Sequence, residues 1–249
     1  MVNGTVNFVS SGNTLSVTNS PNAIINWQSF SIGAGETTRF LQQSPSSAVL
    51  NRVVGADPSQ LLGNLSSNGK VFLINPAGIM VGAGARIDVN GLVASTLNLA
   101  DADFLAGRLN FRGSLLSGDV VNQGQITTPE GGQVYLMGKN MTNIGSISSP
   151  KGDVLLAAGD TVEILDSATP DVKVELTGKE SSVVNLGTVI AESGRIGVLA
   201  AAIKQQGELN ASSAVSEGGR ILLRASQMTE RSEERRVGKE CRSRWSPYH

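Results

Sequence analysis

The chain has 249 residues and a formal net charge of −1, with 40% hydrophobic and 16% charged residues. This balance predicts no strongly basic surface for nucleic acid. Aromatic residues make up only 4%, and 29 residues are glycine. The composition therefore predicts an all-β chain whose core consists of Val, Ile, Leu and Ala. No apolar run approaches the length that spans a bilayer as a helix, so no transmembrane helix is expected.

The N-terminal segment, as far as Gly69, shows no regular repeat. Residues 1–3 have neither the basic start nor the apolar stretch of a signal peptide, so the chain is either cytosolic or lacks its leader. Residues 47–69 combine a short apolar segment with a turn at Asp57-Pro58. We expect the largest departure from a regular fold in this segment, as a short helix or a capping hairpin.

A corner is predicted where the run VFLI ends, at Asn75-Pro76-Ala77-Gly78. Proline cannot donate to a strand ladder and pushes Asn75 towards extended geometry. The apolar pattern resumes immediately as Ile79-Met80-Val81, and again in residues 85–89 and 91–94. Short strands separated by abrupt corners indicate a chain that winds through a coil.

The second half of the chain consists of repeated units of similar length. Each unit reads Asn-x-Gly, a short turn, a glycine and an alternating apolar run. Asn122 and Asn143 are 21 residues apart, and Asn185 follows 42 residues later, after an insertion at 166–182 that resembles a turn and a strand. A period of about 20 residues with short strands predicts a parallel β-solenoid.

Stacked coils place residues of equal phase above one another. The amides of Asn122, Asn143 and Asn185 are expected to form a hydrogen-bonded ladder at one corner, and glycines are expected where a corner needs positive φ. Three interior ladders are predicted: Ile126, Ile147 and Val189; Val134, Val154 and Ile196; Leu136, Leu156 and Val198.

The C-terminal stretch RSEERRVGKECRSRWSPYH differs from everything before it. It contains the only Cys and the only His of the chain. It resembles the in-frame translation of a sequencing adapter, and we predict that residues 231–249 are a disordered artefact. The alternative is a genuine basic tail that binds an acidic surface.

Catalysis is not predicted, because no constellation of acids shares a phase on neighbouring coils. Asp101 and Asp103 are interpreted as a solvated turn, and no metal or other cofactor is expected. Trp27 and Phe30 are interpreted as core or cap packing, with an aromatic anchor for glycan as the alternative. Two alternative functions stay open: a carbohydrate-active β-helix enzyme and a plain structural adhesin stalk.

Three motifs resemble the N-terminal haemagglutination-activity domain, which is the secretion domain of filamentous-haemagglutinin-like proteins exported by two-partner secretion. They occur in the order and spacing of that family. The motif residues are Asn26, Trp27, Gln28, Ser29 and Phe30; Leu50, Asn51, Arg52 and Val53; and Asn75, Pro76, Ala77, Gly78 and Ile79. The family has a second Asn where this chain has Ala77, and its Asn-Pro-Asn-Leu motif is absent around residues 42–45.

The resemblance implies a right-handed parallel β-helix with an N-terminal cap. It implies a domain spanning residues 1–230: cap and first coils at 1–68, central coils at 69–120 and regular coils at 121–226. The implied partner is an outer-membrane barrel transporter with periplasmic domains, which reads residues 75–79 directly or only requires them as a corner. The implied location is the surface or exterior of a Gram-negative bacterium, where the missing downstream region, an adhesin, haemolysin or growth-inhibition toxin, meets a host or neighbouring cell.

Overall fold

The computed structural model describes residues 2–114, 117–164, 172–175, 181–212, 220–225 and 230–231, without the side chains of 172–175 and 230–231. The predicted insertion at 166–182 therefore lies mostly outside the described residues, as does nearly all of the predicted artefact at 231–249. Strands dominate what is described. The first nine are β1 (Val6–Ser11), β2 (Thr14–Asn19), β3 (Ala23–Trp27), β4 (Thr37–Leu41), β5 (Ala48–Val53), β6 (Ser59–Leu61), β7 (Asn64–Ile74), β8 (Ile79–Val81) and β9 (Arg86–Ser95).

Among the described residues, one short helix interrupts the strands about two-fifths of the way along the chain. This middle segment contains β10 (Asn98–Leu99), α1 (Asp101–Leu105) and β11 (Leu109–Arg112). The remaining strands are β12 (Val120–Asn122), β13 (Gln125–Thr127), β14 (Gln133–Gly138), β15 (Met141–Asn143), β16 (Ser146–Ser148), β17 (Asp153–Ala158), β18 (Thr161–Ile164), β19 (Val172–Glu175), β20 (Ser182–Asn185), β21 (Thr188–Ile190), β22 (Arg195–Ala200), β23 (Ala202–Gln205), β24 (Glu208–Asn210), β25 (Arg220–Ala225) and β26 (Glu230–Arg231).

The strands form the three faces of a parallel β-helix, so the predicted fold class is confirmed. Face A contains β2, β4, β13, β16, β21 and β24, and face B contains β3, β5, β14, β17, β22 and β25. Face C contains β6, β8, β12, β15, β20, β23 and β26. β7 and β9 are long enough to run across faces A and B, with a register shift in β7 between Ser67 and Lys70.

The coil interior confirms the predicted ladders. Ile126 pairs in register with Ile147, and Ile147 with Val189, and all three side chains are completely buried. The two ladders that include Val134 and Leu136 follow the predicted register in the same way. Alternation of apolar and polar residues along short strands therefore fixes which side chains fill the interior.

Three corner glycines of the regular coils are needed for a different reason than predicted. Gly145, Gly187 and Gly207 do not have positive φ. A Cβ atom at Gly145 would instead collide with the carbonyl oxygen of Gly124 in the preceding coil, and Gly187 and Gly207 are equally crowded. Close backbone stacking excludes side chains there, whereas positive φ does apply at Gly78 and Gly131.

Two features depart from the parallel helix. β1 and β2 form an antiparallel hairpin at the N-terminal end of face A. On face B, α1 and the antiparallel strands β10, β11, β18 and β19 form a layer outside the coil, which we call the covering layer. The expected departure at residues 47–69 is wrong, because that segment contains β5, β6 and much of β7, all paired in parallel.

The covering layer creates a second hydrophobic core. The first core fills the coil, and the second lies between the layer and the outer side of face B. Phe111 and Val162 of the layer are completely buried, as are Ile24 and Leu50 of face B. In the sequence, this second core corresponds to apolar residues at alternate positions of the face B strands. The side chains of these residues point away from the coil interior.

Candidate recognition site

The corner at Asn75 is held by hydrogen bonds from every polar group of the asparagine. Its side-chain Nδ2 donates to the carbonyl oxygen of Asp57 at 3.0 Å and to Oγ of Ser59 at 2.9 Å. Its Oδ1 accepts the backbone N–H of Ala77 at 3.0 Å, an Asx turn. The backbone N–H of Asn75 donates to the carbonyl oxygen of Ser95 in the next coil at 3.0 Å. The side chain is completely buried.

The rest of the corner motif is only partly accessible. Gly78 and Ile79 are buried, whereas Pro76 and Ala77 are half-buried. The next coil packs against this corner, because Gly118 donates its N–H to the carbonyl oxygen of Pro76 at 2.7 Å. In the folded domain the motif therefore leaves Pro76 and Ala77 partly accessible, and it hides the asparagine.

A second buried asparagine lies inside the first coils. Asn51 is completely buried and points into the coil interior on β5. Its Oδ1 accepts the indole N–H of Trp27 at 3.0 Å, and its Nδ2 donates to the carbonyl oxygen of Phe72 at 3.2 Å. Trp27 also packs edge-on against Phe30, with ring centroids 5.3 Å apart. These contacts place Trp27 and Phe30 in core packing rather than on an open glycan surface.

The neighbouring motif residues Leu50, Asn26 and Arg52 lie on the outer side of face B. Leu50 is buried in the second core, and Asn26 is exposed. Arg52 reaches from β5 to the covering layer: Nη1 lies 2.6 Å from Oδ1 of Asp101, and Nη2 donates to the carbonyl oxygen of Leu99 at 2.5 Å. The interpretation of residues 101–103 as a solvated turn is wrong, because Asp101 begins α1 and pairs with Arg52.

The asparagine ladder forms as predicted. Nδ2 of Asn122 donates to Oδ1 of Asn143 at 2.8 Å, and Nδ2 of Asn143 donates to Oδ1 of Asn185 at 2.7 Å. All three side chains are completely buried. Gln205 occupies the next register position, and there the ladder stops. Nδ2 of Asn185 and Oε1 of Gln205 are buried without a hydrogen-bond partner among the described residues.

Four acidic groups on the described surface pair with bases: Asp101, Asp103, Glu130 and Asp153. Asp153 receives two hydrogen bonds from Arg195, at 2.6 and 2.7 Å, and Glu130 pairs with Lys151. Burial raises the pKa of the nearby Tyr135 phenol well above its usual range, and the Asp153 carboxylate adds to this. Among the described residues, no group of three or more His, Cys, Asp and Glu side chains is arranged to hold a metal ion.

Two open clefts of the described surface lack paired carboxylates. The cleft of about 490 Å³ beside Pro45 and Pro129 contains one carboxylate, Asp88, and the cleft of about 420 Å³ beside Leu41 and Asn7 contains none. A glycoside hydrolase of the usual kind needs two. No helix in the described part of the chain is long and apolar enough to cross a membrane.

Comparison with known proteins identifies the family. Residues 2–235 match the TPS secretion domain, the targeting domain of two-partner secretion. The chain belongs to this family. The TPS match spans the first coils, the corner at Asn75, the covering layer and the regular coils. The family is a secretion-domain family and not a family of enzymes.

Solved and curated relatives agree with this membership. The crystal structure of the HMW1 secretion domain from Haemophilus influenzae is 40% identical, with a TM-score of 0.88 over 92% of this chain and 63% of that one. A heme/hemopexin-binding protein of H. influenzae strain Rd is 34% identical over 200 residues, 77% of this chain. Another heme/hemopexin-binding protein of H. influenzae is 44% identical over 80 residues, 32% of this chain and 9% of its own. The aligned part of this chain spans only 22% of the length of the strain Rd protein.

Proposed function

We propose that this chain is a non-enzymatic targeting module at the N-terminal end of a large exported adhesin, haemolysin or growth-inhibition toxin. An outer-membrane barrel transporter binds it through periplasmic domains while it is unfolded. The module crosses first and folds outside, on the surface of a Gram-negative bacterium or in the medium. The observation that carries the proposal is the TPS match over residues 2–235, together with the parallel β-helix.

The buried corner supports recognition before folding. The Asn75 side chain is completely buried and each of its polar atoms has a partner inside the domain. A transporter that read this side chain directly would therefore have to do so on the unfolded chain. An extended chain also offers its backbone N–H and C=O groups for strand addition to a periplasmic domain.

Folding outside the membrane would favour forward movement. Each coil buries large apolar side chains against the previous one, and burial contributes roughly 25 cal/mol per Å² of apolar surface. A coil that has formed cannot return through a narrow pore without losing this free energy. We infer that successive coils act as a ratchet on the chain that follows.

Other functions have weaker support. The described clefts offer no carboxylate pair for a carbohydrate-active enzyme. A plain adhesin stalk would need no corner that a transporter recognises. The export experiment below therefore distinguishes a stalk from a targeting module. The names of the relatives mention heme, but residues 1–230 contain no His or Cys for an iron ligand, and we propose no heme site in this domain. We propose no nucleic-acid binding either, because residues 1–230 contain no Lys- or Arg-rich run.

Export of a reporter tests the proposal. The chain, preceded by a Sec leader and followed by a reporter enzyme, is produced with and without its transporter, and reporter activity is measured in the medium. We expect release only with the transporter. Equal release without it would overturn the proposal and favour the free-standing stalk.

Two asparagine variants distinguish recognition of the corner by the transporter from the effect of the corner on stability. Asn75→Ala and Asn143→Ala each remove a completely buried amide, but only the first lies in the proposed recognition corner. Export is compared after the two variants are matched for folded stability by choice of temperature. A loss confined to Asn75→Ala supports direct reading of the corner, and equal losses support a corner that matters only for folding.

A further inference from the structure

The covering layer connects parts of the chain that a simple solenoid keeps apart. In a solenoid each coil contacts only its neighbours, so early coils can form without later ones. Here Ile24 on β3 and Leu50 on β5 share one buried cluster with Val162 on β18. All the strands from β6 to β17 lie between Leu50 and Val162 in the sequence. The first coils therefore share one outer core with residues that follow much later in the chain.

The layer is assembled from two distant segments. β11 supplies one half and β18 the other, and they pair antiparallel with Phe111 opposite Val162 and Leu109 opposite Ile164. The chain between them forms the strands β12 to β17, which are two complete coils of the helix. The first segment alone is two short strands and a single short helix. A two-stranded element of this size has marginal stability in isolation.

Specific contacts fix the first segment on the early coils. Arg52 on β5 holds both Asp101 and the carbonyl oxygen of Leu99. Phe104 of α1 packs edge-on against Phe72 of β7, with ring centroids 5.1 Å apart. The first segment is thus positioned to receive β18, whose Val162 side chain is completely buried once it is in place.

We propose that the covering layer is a folding checkpoint. The coils built from β3, β5 and β7 stay weakly protected until residues 161–164 add β18 to β11, and the N-terminal part then becomes stable in one step. If the module crosses the membrane as proposed above, the chain commits to the folded state only after residue 164 has emerged. This timing rests on the proposed function, whereas the checkpoint itself is a property of the purified chain.

Hydrogen exchange on the full chain tests the checkpoint. Val162→Ala weakens the layer, and Val189→Ala is the matched control, because both valines are completely buried but Val189 lies inside a late coil. Exchange is followed by mass spectrometry in peptides that cover β3 and β5. We expect Val162→Ala to accelerate exchange in both peptides by about 30-fold, and Val189→Ala to accelerate it by less than about 3-fold.

Two results would overturn the checkpoint. In one, Val162→Ala accelerates exchange only near β17 and β18, which shows that the first coils are stable by themselves. In the other, both variants accelerate exchange in β3 and β5 equally, which shows that the whole domain unfolds together and the layer has no special role. If Val162→Ala fails to fold, Val162→Thr, a near-isosteric change, takes its place against Val189→Thr.

The export assay and the exchange experiment test the proposed function and the checkpoint independently of each other. Export that does not need the transporter would refute the targeting proposal, and exchange in β3 and β5 would be unaffected. Transporter-dependent export together with unchanged exchange in Val162→Ala would refute only the checkpoint.

Discussion

The early and the late coils belong to one helix, but different interactions hold them. From β12 to β21 the same Asn-x-Gly corner recurs, and Asn122, Asn143 and Asn185 bond to one another in a line. In the early coils each buried asparagine has its own set of partners. Asn51 holds Trp27 and a backbone carbonyl, and Asn75 holds three groups of its corner.

This difference shows how sequence repetition affects tolerance to substitution. In the late coils a substitution removes one of several equivalent hydrogen bonds, and the neighbouring coils keep their own. In the early coils a lost asparagine leaves several buried groups without partners, which is costly because buried polar groups need hydrogen bonds. We therefore expect the larger destabilisation from substitutions in the early coils.

The largest effect is expected for Asn75→Ala. The substitution leaves the carbonyl oxygen of Asp57, Oγ of Ser59 and the N–H of Ala77 without their present partner. We expect the free energy of unfolding to fall by about 3 kcal/mol, measured by urea denaturation. Ala77→Ser, at a half-buried position of the same corner, should change it by less than about 0.5 kcal/mol.

A smaller effect is expected for Asn143→Ala in the middle of the ladder. It removes the partner of Nδ2 of Asn122 and the partner of Oδ1 of Asn185. We expect a loss of about 2 kcal/mol in the same denaturation experiment. An equal loss of stability in the two variants would contradict the expectation that an asparagine with its own set of partners matters more than one member of the ladder.

The late coils were predictable because their sequence repeats. The regular spacing of Asn122 and Asn143 fixes the register, and alternation along each strand then fixes the interior ladders. The early corner at Asn75 was also recognisable, because Pro76 cannot continue a strand ladder. The sequence could not show that Asn75 would be hidden, since that depends on Asp57 and Ser59 from the preceding coil.

The covering layer was not predictable from local pattern. Its strands β10 and β11 are short, and β18, which completes it, follows only after the strands β12 to β17. Asp101 and Asp103 look like a solvated turn until Arg52 is found beside Asp101. One signal was available: Phe72, Tyr135 and Leu155 are large apolar residues at outward positions of face B, and such residues need a cover.

The buried phenol of Tyr135 is expected to make the stability of the folded domain depend on pH. Burial raises the pKa of its phenol in the folded domain. In the unfolded chain the phenol ionises at its usual pKa of about 10, so above that pH the unfolded state binds fewer protons and stability falls. We expect a loss of up to about 1.4 kcal/mol per pH unit above about pH 10, measured by thermal unfolding across that range.

The variant Tyr135→Phe is the control for the pH experiment. It keeps the ring in the second core and removes the ionisable group, so its unfolding temperature should fall less steeply as the pH rises past the phenol's usual pKa. Equal slopes for the two proteins would show that Tyr135 is not what makes the domain sensitive to alkali. The other tyrosine of the chain, Tyr248, lies outside the described residues.

The smallest expected effect is a gain in stability at the end of the ladder. Gln205 pairs in register with Asn185, but its side chain donates to the carbonyl oxygen of Gly207 at 2.9 Å. The shorter side chain in Gln205→Asn would bring its carbonyl oxygen to Nδ2 of Asn185, in the geometry that joins Asn143 to Asn185. Satisfying this buried donor should stabilise the domain by about 0.5–1 kcal/mol in urea denaturation.

Gln206→Asn, at the exposed neighbouring position, should leave stability unchanged. A destabilised Gln205→Asn would show that the corner after β23 differs in shape from the corners before it, and that the repeat ends at Asn185.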